Sequence, residues 1–255
     1  MIVVYKFGFP PGTNTPDMSP FVVKLETWLR MSGIPYEART GTQRDMPKGK
    51  LPAALIDGKL IADSSVIIAH LQQNDPRALR DSHLGALQRA QSEAIKALAE
   101  SQLYFVGVYL RWCVDEGFER YRPLLRDYAL RSVPSWQRPL VPVISPLLLP
   151  RIRRYMVKQA RQQGIGRHGL DEVLAIGKRG VQALTTLLGQ QDYLFGDAPS
   201  TVDASVFGQL HAVLRHPFPG PLQDYALAQP ALVAYHDRIW DRYWTDRSGA
   251  AAPAR

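Results

Sequence analysis

PKGKLPAALIDGKLIADSSVIIAHL, residues 47–71, reads as strand, tight turn, strand and helix. Short apolar runs at 53–56 and 60–62 flank Asp57-Gly58, a dipeptide suited to a two-residue hairpin turn. Asp63-Ser64-Ser65 then announces a helix, whose first turn offers unpaired N–H groups and a positive dipole end. Pro52 follows Leu51 directly before the first strand, where an X-Pro bond is a candidate for the cis form. That form would turn the Leu51 N–H and C=O outward, toward a peptide-like ligand pairing as an added strand. The stretch predicts a hairpin–helix unit holding a receptor for a small anionic peptide.

Outward from it, the first eighty residues alternate. Strands are predicted at 2–7, 36–40, 53–56 and 60–62, with helices at 20–32 and 64–72, the pattern of a small α/β unit with a mixed sheet. Ser19 suits the N-cap of the first helix, Pro20 its first position and Gly33 the position past its end. Val22, Leu25 and Leu29 repeat at helical spacing and should face the sheet. After Asn74-Asp75-Pro76 strand signals vanish. Helices are predicted at 84–117, 119–131, 151–163, 170–190, 201–214 and 230–243, with an irregular proline-rich run at 136–150. The reading is two domains, α/β over 1–76 and all-α over 84–247, with a disordered tail at 248–255.

A chain of 255 residues, 45% hydrophobic and 21% charged, has the composition of a soluble globular protein with a substantial core. Cys113 is the only cysteine, which excludes an internal disulfide and fits a reducing, cytoplasmic setting. Beside Trp112 in a predicted helix, it reads as a buried, inert thiol. The N-terminal residues MIVVYKFGFPPG lack the pattern of a secretory signal. LVPVISPLLLP (140–150) is too short and too proline-broken to cross a membrane; it reads as a buried segment, with pocket lining or surface contact as alternatives.

The formal net charge is +8, and the run at 151–168 holds six Lys or Arg and no acid. This reads as a solvated basic helix face, with an anionic substrate or membrane surface as alternatives. No nucleic-acid motif accompanies it. HExxH, GxSxG, Walker, CxxC and zinc-ligand spacings are all absent, so no metal site is expected.

The order of strand, Ser-Pro-opened helix, Lys-Leu-Pro, hairpin, Asp-Ser helix and all-α half resembles the cytosolic glutathione S-transferases. There a thioredoxin-like domain binds glutathione and an all-helical domain follows. GDAPSTVD (196–203) resembles the GxxPSxAD segment that opens a core helix of their C-terminal domain. Ser200 should cap there, with Asp203 reaching back to its N–H. SPFVVKLETWLR (19–30), IADSSVIIAHL (61–71) and QGIGRHG (163–169) are similar to the failed-axon-connections and metaxin-related branch, including its bacterial members. Many of those carry SPFCxK, with cysteine where this chain has Val22, so thiol–disulfide chemistry is not available at that position.

The resemblance implies glutathione as co-substrate. Ser19 would activate its thiol as a hydrogen-bond donor; a two-unit shift of a thiol pKa needs only about 2.7 kcal/mol. Otherwise Ser19 merely caps its helix. The Ser64 hydroxyl and N–H would hold the γ-glutamyl carboxylate and Asp63 the ammonium group, the alternative again being a plain cap. Leu51 would offer its backbone, Pro52 the geometry, and Lys50 would approach the glycine carboxylate or remain solvated. A small, apolar electrophile would bind between the domains, near Tyr104 to Trp112 and the proline-rich run, and the long loop 8–18 would lie over the thiol position. Arg167 and His168 read as a helix-connecting turn. Homodimerisation is implied by the fold alone. The rival reading is a non-enzymatic, metaxin-like assembly protein at an anionic membrane surface.

Overall fold

The structure is a computed structural model that describes residues 1–8, 15–215 and 219–245. Strand β1 (Ile2–Lys6) lies parallel to β2 (Tyr36–Thr40) and antiparallel to β3 (Ala53–Ile56). β4 (Lys59–Ala62) closes the sheet in the order β2-β1-β3-β4. Parallel neighbours need a crossover, and α1 (Pro20–Met31) supplies it. At its end Ile34 N–H donates to Leu29 O at 3.0 Å and Gly33 N–H to Arg30 O at 3.1 Å, with Gly33 at φ +64°. This paired closure requires a left-handed residue, hence glycine. The β3–β4 turn has Asp57 at φ +48° and Gly58 at φ +81°, as a two-residue hairpin demands. Leu25, Trp28 and Leu29 of α1 pack with Val4, Ala54, Ile67 and Leu71 in the core between the sheet and α1 and α2 (Ser64–Asn74).

The helical half comprises α3 (Ala86–Ala97), α4 (Tyr104–Trp112), α5 (Asp115–Ser132), α6 (Val141–Gln163), α7 (Leu170–Leu188), α8 (Thr201–Leu214), α9 (Pro221–Leu227) and α10 (Pro230–Tyr243). The single helix expected over 84–117 is interrupted by a π-helical segment, Leu98–Leu103. α9, seven residues behind Pro221, lay below the length at which periodicity is readable. The tail at 248–255 lies outside the described residues.

The proline-rich run is the main correction. It is helical, a 3-10 turn at Ser135–Leu140 leading into α6, which begins ten residues before the predicted start at 151. Pro142 sits in the first turn, where its missing N–H costs nothing. Pro146 and Pro150 lie on the solvent side, where water can take the carbonyls they leave unpaired. Nor is the run buried: Val143 is 71% and Leu147 65% exposed, and only Val141, Ser145 and Leu149 face inward.

The two halves are welded along α1 and α8. A Cβ on Gly208 would stand 2.4 Å from the Pro20 carbonyl oxygen, so the backbones touch where α1 begins. Trp244 Nε1 donates to Thr27 Oγ1 at 3.2 Å, Arg30 Nη1 to Tyr243 O at 2.9 Å and Thr201 N–H to Asp81 Oδ1 at 2.8 Å. Asp203 reaches back as expected, accepting from Ser200 N–H at 2.7 Å. The Ser200 hydroxyl does not cap the helix but donates to the same carboxylate. Asp203 Oδ1 accepts from Leu194 N–H and Tyr235 OH, which makes it a buried structural hub.

Candidate functional site

A cavity of about 1070 Å³ opens between the sheet half and helices α4 to α6. Ser19, Lys50, Leu51, Pro52, Asp63 and Ser64, distant in sequence, all line it. The Leu51-Pro52 peptide is cis. Leu51 and Pro52 are buried, whereas Lys50 and Asp63 are exposed. Ser64 is buried and its hydroxyl has no hydrogen-bond partner among the described residues.

Asp63 adopts φ +84°, rare and costly for a residue other than glycine. That backbone lets Oδ1 accept from Ser65 N–H at 2.9 Å and Val66 N–H at 3.4 Å. Two first-turn donors of α2 are thereby satisfied, while Ser64 N–H and Asp63 Oδ2 stay without a partner among the described residues. One donor and one acceptor thus stand side by side at the α2 start, beside the positive end of its dipole.

Ser19 precedes α1 in extended conformation, and its hydroxyl makes no capping bond. Its N–H donates instead to Asp17 Oδ1 at 2.8 Å. Val22 and Val23 N–H both donate to Ser19 O, which leaves Phe21 N–H as the unpaired first-turn amide. Ser19 Oγ and Phe21 N–H are two donors at this end of the cavity without a partner among the described residues. Val22 is fully buried and does not line the cavity.

Three features beneath the site escaped the sequence reading. Asp17, 3% exposed, accepts from both Gly8 and Ser19 N–H and so clamps the two ends of the β1–α1 connection. Burial pushes its carboxyl up to about 7, against the pull of Lys6 and the two amides. Lys6 Nζ lies 3.0 Å from both oxygens of the fully buried Glu26, which Tyr36 OH also approaches at 3.2 Å. Burial raises the Glu26 carboxyl and these partners pull it back. Lys24, 2% exposed, donates to Ser65 Oγ at 2.8 Å and stands 2.7 Å from Glu100 Oε1, tying α1, α2 and the π-helical segment together. These residues carry no motif; only charged residues on the apolar side of α1 hinted at a buried network.

The opposite wall is largely apolar: Phe105, Val108, Trp112, Ile144, Leu148 and Leu149 face the space. Tyr104 lines it and meets Phe21 edge-on at 4.8 Å, so α4 touches α1 at the Ser19 end. The region expected for an apolar compound, Tyr104 to Trp112 with the proline-rich run, does border the same space as the six residues. Tyr5 and Tyr109 are not among the lining residues; Tyr109 OH donates to His168 O instead. Cys113 is half-buried rather than buried, at the end of α4, and burial raises its thiol. Within the loop 8–18, residues 9–14 lie outside the described residues, and Met18 lines the cavity. Arg167 belongs to a 3-10 turn joining α6 to α7, as expected.

Residues 20–117 match the glutathione S-transferase N-terminal domain, and residues 177–239 the glutathione S-transferase C-terminal domain. The isoprene-epoxide–glutathione S-transferase of Rhodococcus sp. (strain AD45) is 30% identical over 249 residues, 95% of this chain and 99% of that protein. Failed axon connections of Drosophila melanogaster is 30% identical over 96% of this chain, which spans 59% of its length. Metaxin-1 of Mus musculus is 28% identical over 97% of this chain and 77% of its own. Among solved structures, a beta-etherase from Sphingobium sp. strain SYK-6 superposes with a TM-score of 0.59 at 23% identity, covering 94% of both chains. A glutathione transferase family member from Pseudomonas fluorescens with two glutathione bound gives 0.58 at 15% identity, over 98% of this chain and 93% of that one. A small mixed sheet joined across a cavity to a helical half, and a relative matched from end to end, lead to one assignment: the chain belongs to the glutathione S-transferase superfamily.

Proposed function

We propose that this chain binds glutathione in the cavity and activates its thiol for attack on a small, largely apolar electrophile. The observation that carries this reading is the convergence of Ser19, Lys50, Leu51, Pro52, Asp63 and Ser64 on one cavity whose far wall is largely apolar. The γ-glutamyl carboxylate would take Ser64 Oγ and N–H, and its ammonium group the free oxygen of Asp63. The Leu51 backbone would pair with the cysteinyl unit, and Lys50 would meet the glycine carboxylate. The thiol would lie at the α1 start, where Ser19 Oγ and Phe21 N–H donate to the thiolate, the reactive form. Ser19 acts there as donor and not as nucleophile. The Rhodococcus relative's name points to epoxides as one class of electrophile.

Calorimetry with glutathione tests the assignment on wild type, Ser64→Ala and Ser19→Ala. Loss of a hydrogen bond to a charged group should weaken binding by S64A about tenfold or more. S19A is expected to bind normally yet lose the thiolate ultraviolet absorbance of bound glutathione. Absence of millimolar binding by the wild type would overturn the reading.

A second reading, a non-enzymatic assembly protein at an anionic membrane surface, draws on one observation. Exposed Val143 and Leu147 continue at helical spacing into Arg151, Arg154, Lys158 and Arg161 along one face of α6. Apolar residues leading into cations suit an interfacial helix. Among the described residues no helix is long and apolar enough to cross a membrane. Flotation with vesicles rich in phosphatidylserine, at low and high salt, decides: salt-sensitive binding lost in a Lys158→Glu/Arg161→Glu variant supports this reading, and no flotation at low salt rejects it.

A further inference from the structure

Three cations that the reading above does not use line the cavity; Lys48 and Arg126 are exposed, and Arg111 is not. Arg111, on α4, is half-buried in the wall, two turns beyond the Tyr104 that touches the α1 start. Its Nε donates to the Gly107 carbonyl of its own helix at 3.0 Å, and its guanidinium lies 5.8 Å from the centre of the Tyr121 ring. No acid among the described residues pairs with it. The two acids that line the cavity are engaged elsewhere: Asp63 caps α2, and Glu100 stands against Lys24. Its two terminal nitrogens have no acceptor among the described residues, which leaves the fork open to an anion entering the cavity.

A second polar group shares the cavity. Ser145 of α6 is 6% exposed, lines the same space, and its hydroxyl has no partner among the described residues. An apolar chamber needs neither group to hold a hydrocarbon. A rigid two-pronged donor on its wall fits the planar, two-oxygen geometry of a carboxylate or sulfonate. Small-molecule pockets commonly fix orientation through a few such polar groups in apolar surroundings.

We propose that the ligand occupying the apolar part of this cavity is an amphiphile, with an apolar body against α4 and α6 and a carboxylate or sulfonate received by Arg111. This rests on the reading of the cavity as the acceptor-substrate chamber; the test leaves out glutathione, so that the two fail separately.

The neutral fluorescent dye N-phenyl-1-naphthylamine serves as cavity reporter, displaced by decanoate and, in parallel, by 1-decanol. Because the reporter is uncharged, its displacement is insensitive to anions bound along the basic face of α6. Arg111→Gln is expected to raise the decanoate concentration needed for half-displacement about tenfold, with that for 1-decanol unchanged. Arg111→Lys, which keeps the charge but loses the fork, should fall between. Equal shifts for acid and alcohol in R111Q, or none for either, would overturn the proposal. Should R111Q lose its cooperative melting transition, R111K decides alone: a selective loss for decanoate supports the proposal, and equal loss for both compounds rejects it. Glutathione calorimetry on the same R111Q sample reports separately on the transferase reading.

Discussion

Asp17 illustrates how one residue joins stability to the site. Its carboxyl is raised from 3.8 to about 7 by burial, so the folded chain holds this proton more tightly than the unfolded one. Stability linked to it is present below about pH 4 and is lost as pH rises toward 7, with a slope of at most about 1.4 kcal/mol per pH unit. Asp17→Asn, neutral throughout, should therefore show a flatter decline of melting temperature between pH 4.5 and 7.5 than wild type. Parallel profiles for the two proteins would mean that Asp17 does not titrate in this range. Asparagine keeps one acceptor for the two amides at Gly8 and Ser19, so some loss of stability at low pH is expected alongside. At this scale the sequence was legible only where a side chain serves a local role. Ser19, Asp63 and Ser64 flank helix starts and announce themselves by position. Asp17, Lys24 and Glu26 act on partners up to about 76 residues away, as in Lys24 with Glu100, and no local pattern reports such pairs.

Helix α8 shows how a single element both holds the halves together and limits what it tolerates. Gly208 meets the Pro20 carbonyl oxygen, and an added methyl at 2.4 Å would push against backbone rather than a yielding side chain. Gly208→Ala should cost about 3 kcal/mol, read as a lower urea midpoint. Three residues earlier, Ser205 is fully buried with its hydroxyl unpaired among the described residues. Ser205→Ala removes that unsatisfied group and should be neutral or stabilising. Opposite signs on one helix follow from packing alone; a destabilised S205A of similar size would show that the hydroxyl has a partner. Elements were legible in proportion to their punctuation. α1, with serine and proline before it and glycine after, was readable to within a residue. α6 was not, because its prolines read as breakers when two of them sit on a solvent face that tolerates the lost bonds. The apolar stripe there suggested burial, whereas its residues border the cavity mouth and solvent.

For the whole molecule, the two-domain organisation seen in the sequence meets an interface that the sequence does not reveal. α1 is buried on nearly every side, from Pro20 to Leu29 with only Phe21 half-covered, because the sheet takes one face and α8 another. Hydrogen bonds from Trp244 to Thr27, Arg30 to Tyr243 and Gln72 to Thr201 cross the same boundary. Cutting there would expose apolar α1 surface and separate Lys24 from Glu100, its ion-pair partner. Residues 1–76 produced alone should therefore lack a cooperative urea transition, although they contain all four strands and both helices of the sheet half. The full chain should unfold in one step, with far-ultraviolet circular dichroism and tryptophan fluorescence coincident, since Trp28 and Trp244 lie on either side of the boundary. A stable, cooperatively folding 1–76 fragment, or two separated transitions in the full chain, would show that α8 covers α1 without supporting it. In that case the cavity would lie between independently mobile halves, and the alignment of Ser19 with the α4 wall would depend on ligand rather than on the fold.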